Sequence, residues 1–140
     1  MDDNKTRPYL LKAGEGESGC AAGARFTMTV TNGAADGHFA LVEALAFRAA
    51  EPPLHTHRHE DEAWYVLDGK MTFYVGDEAF EGAAGPFVFA PRGIPHTFTI
   101  DVEPTRLLLL VSPAGFERAL RIGGTRGGRG TSAQYCHAAP

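Results

Sequence analysis

No purely apolar run in the 140 residues exceeds five, the length of Leu107–Val111, and Gly or Pro follows closely on most of them. A helix bundle needs long stretches at a 3.6-residue period, so this punctuation excludes one. What remains is a chain of short strands. Arg25–Thr31 alternates, with Phe26, Met28 and Val30 on one side and Thr27, Thr29 and Thr31 on the other, which predicts a strand buried on one face. His38–Phe47 has apolar residues on both faces and reads as a strand covered on both sides. Further strands are expected at Leu54–His57, Glu62–Leu67, Met71–Val75, Ala79–Glu81, Phe87–Phe89, His96–Ile100 and Arg106–Val111. Turn chemistry lies between them at Asn32-Gly33, Asp36-Gly37, Asp68-Gly69, Gly76-Asp77 and Pro91-Arg92-Gly93. Strands this short, with turns every eight to twelve residues, predict an all-β sandwich or small barrel.

Composition sets the limits of that domain. The 17 Gly and 9 Pro fit a turn-rich fold, while 44% hydrophobic and 21% charged residues are ordinary globular values. The expected organisation is a flexible N-terminus at 1–8, one domain at 9–120 with a short helix over Gly115–Arg121, and a flexible Gly/Arg-rich tail at 121–140. Residues 1–120 carry ten basic and 17 acidic side chains, whereas the tail has three Arg and no acid. An acidic body argues against nucleic acid or an anionic membrane as partner. The tail's likeness to an RGG segment is loose. The N-terminal MDDNKTRPYL has no basic region followed by an apolar one, no run is long enough to span a bilayer, and only Cys20 and Cys136 occur. A cytoplasmic chain with reduced cysteines is the expectation.

The chemistry concentrates in one stretch. Three of the six histidines fall within His55-Thr-His57-Arg-His59-Glu-Asp-Glu62. Residues two apart on a strand share a face, so His55 and His57 are expected to point together. Glu62 opens the next strand on the face that carries Trp64, and His96 shares its face with Phe98 and Ile100. Three imidazoles and a carboxylate suit one divalent transition metal ion, and the donor types accept Fe, Mn, Ni, Co, Cu or Zn. His59 lies in the charged corner Arg58–Asp61, where it is a candidate proton relay or hydrogen-bond donor to a ligand. Trp64 and Phe98 are candidates to line a pocket for a flat ligand, with Phe47 and Phe73 weaker ones, although all four read equally well as core. Ser18, Ser112 and Ser132 lack any nucleophile context, which leaves hydrolase chemistry without support.

These residues also carry a resemblance. His55-x-His57-x4-Glu62-x6-Gly69 is similar to the first motif of the cupin superfamily, and Gly85-x5-Pro91-x-Gly93-x2-His96 to its second. Two edges depart from the pattern: Ala49 stands where the first motif opens with Gly, and Ile100 where the second ends in Asn. Neither is a ligand position. The resemblance implies a jelly-roll β-barrel (double-stranded β-helix) with His55, His57, Glu62 and His96 as metal ligands, commonly paired as a homodimer. Within the small cupins the chain resembles the quercetin-dioxygenase-like group through its His-x-His-x-His-Glu-Asp-Glu run and Ser112–Arg118. That implies a dioxygenase that presents a flat, enolisable, oxygen-chelating small molecule of the flavonol or 1,3-dicarbonyl type to O2, with Glu62 as ligand and possible general base. A non-redox isomerase or cyclase acting on a polyketide-like substrate, and a metal-dependent binding protein without a reaction, are the alternatives.

Overall fold

The computed structural model describes residues 7–31 and 33–116. Seven strands run through them: β1 (Glu17–Ala21), β2 (Ala24–Val30), β3 (Ala40–Ala46), β4 (Asp61–Val75), β5 (Glu78–Ala83), β6 (Phe87–Ala90) and β7 (His96–Ser112). A single 3-10 turn, Arg48–Ala50, is the one helical element among the described residues. The expected helix over Gly115–Arg121 falls mostly outside them, as do most of the expected flexible N-terminus and all of the tail.

All pairings are antiparallel, in the order β1-β2-β3-β7-β4-β5, with β6 also paired to β4, on the edge away from β7. The two long strands make this an all-β jelly roll. The first half of β4 lies between β6 and the second half of β7, while its second half lies between β5 and the first half of β7. β4 and β7 therefore pass from one layer into the other. Their inner faces meet in a core where Phe73, Met71 and Val66 have no solvent exposure. Burying a side chain such as Phe73 contributes roughly 1.5–3 kcal/mol relative to leaving it in water.

Four strand expectations are corrected here. Asp68-Gly69 is not a turn between two strands but an irregularity inside β4, where the register with β7 shifts between Val66 and Met71. Gly69 has φ +100°, and a Cβ there would lie 2.3 Å from Thr105 Oγ1, so both conformation and space demand glycine. The Thr105 hydroxyl fills the defect, accepting a hydrogen bond from the Lys70 amide (3.1 Å) and donating to the Val102 carbonyl (2.6 Å). His96–Ile100 and Arg106–Val111 are likewise one strand, β7. Leu54–His57 is no strand at all, and only His55 makes a bridge, to His96. β3 is buried on one face, through Ala40, Val42, Ala44 and Ala46, and only partly covered on the other. Cys20 also departs from expectation, since it is disulfide-bonded and carries no free thiol; Cys136 lies outside the described residues.

Candidate metal centre

The four predicted ligands come from three places in the chain and meet at one end of the inner face. Glu62 is carried near the start of β4 and His96 at the start of β7, where each occupies an inward position and is 6% and 2% exposed. His55 and His57 belong to the irregular segment before β4 and are partly exposed. Backbone bonds hold this segment against the start of β7. The His55 amide donates to the His96 carbonyl (3.1 Å) and the His96 amide donates to the His55 carbonyl (2.8 Å). The Gly93 amide donates to the His57 carbonyl at 2.7 Å. Thr97 adds a side-chain anchor by donating its hydroxyl to the Pro52 carbonyl at 2.6 Å. Residues some forty positions apart are thus registered by main-chain geometry rather than by side-chain packing.

One potential ligand atom from each of His55, His57, Glu62 and His96 lies within 4.8 Å of the other three. The imidazole centroids are 4.4 Å (His55 to His96), 4.9 Å (His55 to His57) and 5.2 Å (His57 to His96) apart. Glu62 Oε2 is 3.0 Å from His96 Nε2 and 3.1 Å from His57 Nε2. Each outer nitrogen of His55 and His96 faces a carbonyl, His55 Nδ1 the one of Pro53 at 2.8 Å and His96 Nδ1 the one of Ile94 at 3.0 Å. A carbonyl only accepts, so Nδ1 carries the hydrogen and Nε2 is the nitrogen turned into the site, where on His96 a proton shared with Glu62 or a metal ion would sit. This is the tautomer that a metal-binding imidazole needs.

The electrostatics agree with the donor set. Burial alone would push the His96 pKa down, but the hydrogen bonds to Glu62 and to the Ile94 carbonyl, with the charge of the carboxylate, outweigh it and the net shift is upward. The site stabilises positive charge beside Nε2. Three imidazoles and one carboxylate supply that environment to a divalent ion as well as to a proton, and the residues present fit a first-row transition metal.

Outside the quartet, Asp61 holds the corner in place. Its carboxylate accepts from the Arg92 backbone amide (2.9 Å) and from the guanidinium at Nε (3.2 Å) and Nη2 (3.0 Å). These bonds hold the Asp61 pKa below the ordinary carboxylate value. His59, the other histidine of the corner, is exposed.

Three of the four, His55, His57 and Glu62, line the polar end of a cavity of about 160 Å³, and the buried His96 does not reach it. Trp64 and Phe98 belong to its wall. Phe73 stands behind them, with ring centroids 5.2 Å from Trp64 and 6.3 Å from Phe98, and like Phe47 is not among the lining residues. Most of the wall is small or late in the chain: Ala24, Ala44, Ala46 and Ala50, with Phe116 against His57 at 5.9 Å. Sequence reasoning missed these residues because alanine gives little periodic signal. The run Ala40-x-Val42-x-Ala44-x-Ala46, small at every second position, was the available clue.

The cupin domain family profile matches residues 42–111, which include all four residues of the quartet. The chain is 32% identical over 102 residues to the quercetin 2,3-dioxygenase of Bacillus subtilis (strain 168); the match covers 72% of this chain but only 30% of that enzyme. An RmlC-like cupin from Shewanella frigidimarina NCIMB 400 superimposes with a TM-score of 0.67 at 20% identity, covering 82% of this chain and 98% of the other. Pac13, a nucleoside dehydratase of Streptomyces, gives 0.63 at 20% identity over 80% of this chain and 88% of its own. At these identities the two structures speak for the fold.

Proposed function

Since the chain belongs to the cupin domain family, we propose that it is a mononuclear non-haem metal dioxygenase for a flat, enolisable small molecule that chelates through adjacent oxygens. The observation that carries this reading is a three-His, one-Glu cluster of which His55, His57 and Glu62 line the polar end of a cavity whose remaining wall is apolar. An ion held there would acidify a chelating enol and support its reaction with O2, both oxygen atoms entering the product.

The chain's own residues divide the remaining work. Glu62 is buried and lies 3.0 and 3.1 Å from two imidazoles, so it is placed to take the substrate's proton at Oε2 and keep it within a hydrogen-bonded set. Trp64 and Phe98 offer ring faces and edges against which a planar molecule stacks. The apolar wall excludes water, which strengthens each polar interaction at the ligand end. His59, being exposed, would relay protons at the rim rather than touch substrate.

Metal-dependent oxygen consumption tests the proposal. With a 1,3-diketone or a 3-hydroxy-4-one in an oxygen electrode, O2 uptake should match substrate loss one to one and stop when the metal is chelated. Turnover that persists without O2 would instead support a non-redox isomerase or cyclase, a reading favoured by the fact that the same donors accept zinc.

Two wider expectations belong to the same proposal. A homodimer is supported by the exposed aromatic residues Tyr65, Phe87 and Phe89 on the outer sheet face, at 43%, 62% and 51% exposure. Sedimentation velocity tests it. A cytoplasmic location is tested by fractionation. No helix among the described residues is long and apolar enough to cross a membrane.

A further inference from the structure

We infer that the cavity is built for a single-ring chelator with no charge beyond its metal-binding edge, and that fused polycyclic chelators do not enter it. This narrows the proposed function and rests on its metal centre.

The size argument comes from the register of β2 and β3. Their inner faces pair Met28 with Val42, then Phe26 with Ala44, then Ala24 with Ala46. The paired side chains shrink to methyl groups toward one end. The cavity occupies that vacated end, bounded across by Leu107, Trp64 and Phe98 and by Ala50 of the 3-10 turn. Its volume of about 160 Å³ is close to the ~150 Å³ in which a buried apolar cavity lodges one benzene ring, and below the roughly 300–1,000 Å³ of pockets for drug-sized ligands.

Chemistry supplies the second half. Apart from His55, His57 and Glu62, each lining residue is Ala, Pro, Leu, Phe or Trp. Among the described residues, no Lys or Arg is present in the wall to neutralise a phosphate or a second carboxylate, and no Ser, Thr or Asn to receive sugar hydroxyls. A charged or polyhydroxylated substrate would leave those groups buried and unpaired.

Binding to the Co(II)-loaded chain tests this without turnover. Maltol, a one-ring 3-hydroxy-4-one, is compared with 3-hydroxyflavone, which carries the same chelating edge on a fused ring system with a third ring attached. Affinity is read from the visible cobalt spectrum and normalised to each ligand's affinity for free Co(II). Maltol should bind at least about tenfold more tightly after normalisation. Ala46→Leu should weaken maltol at least about tenfold while cobalt content and circular dichroism stay unchanged. Equal or tighter binding of the flavone overturns the inference, as does undiminished maltol binding by folded Ala46→Leu. Should that variant not fold, the preference of the unaltered chain decides alone.

Should the chain retain no cobalt, the metal centre itself fails, and the size argument is then judged on metal-free protein by NMR titration with toluene and biphenyl. Shifts of wall resonances with toluene alone support it. Shifts with biphenyl of equal strength, or none with toluene, overturn it.

Discussion

Two halves of the ligand cluster are held in different ways. Glu62 and His96 ride on the two longest strands, buried, and each strand is paired over much of its length. His55 and His57 sit on an irregular segment, partly exposed, and depend on a handful of backbone bonds to the region around His96. The strand-borne pair is placed by the fold. The segment-borne pair is placed by the strand-borne half of the site. Metal binding should therefore order the His55–His57 segment more than the barrel, and damage should spread from the strands to the segment rather than the reverse.

The comparison breaks first if single ligand deletions act alike. His96→Ala empties a buried position beside Trp64, whose ring is 5.5 Å away, and takes one imidazole from the Glu62 carboxylate. It should cost about 2–4 kcal/mol of stability in urea unfolding as well as the metal. His57→Ala, on a side chain 22% exposed, should lose the metal but less than about 1 kcal/mol of metal-free stability. Equal losses would mean that the segment is as much a part of the core as β7.

Next in size is the device that lets β4 and β7 change layers. Gly69→Ala combines a positive φ with an impossible approach to Thr105, and should cost about 2–3 kcal/mol in the same assay. A smaller effect is expected at the anchor of the segment. Thr97→Val removes the bond to Pro52, which should cost about 1 kcal/mol or less and speed hydrogen exchange near His55 without touching the amides of Met71–Val75.

The smallest effect is at Asp61. Its folded pKa is depressed, so the pairing with Arg92 stabilises the chain above the unfolded carboxylate value and is lost as pH falls through the folded one. An acid titration of Asp61→Asn should show a shallower loss of stability below about pH 4 than the parent. Identical profiles would detach Asp61 from the corner's stability.

The inward facing of Glu62 and His96 was readable from alternation, because a period of two fixes the face whatever the strands pair with, whereas His55 and His57 reach the same cluster without the strand that alternation gave them. The resemblance of the two motifs pointed to the same four residues. Strand continuity was not readable at Gly69 or between Ile100 and Arg106, since a bulge and a turn use the same residues and differ only in what approaches them. That His55 bridges His96 depended on pairing between distant segments, which no local pattern encodes. The alanine wall was hidden for a simpler reason: a cavity is made by what side chains lack. Cys20 shows the limit of counting, because two cysteines read as sparse thiols yet one of them is bonded.

Metal content by mass spectrometry tests the central claim most directly, on the parent chain and on His55→Ala/His57→Ala, each purified, stripped and dialysed against one transition metal at a time. Three imidazoles and Glu62 forming one centre predicts close to one ion per chain in the parent and essentially none in the variant, with the barrel's circular dichroism intact in both. A parent without metal, or a variant that keeps its full complement, would contradict it.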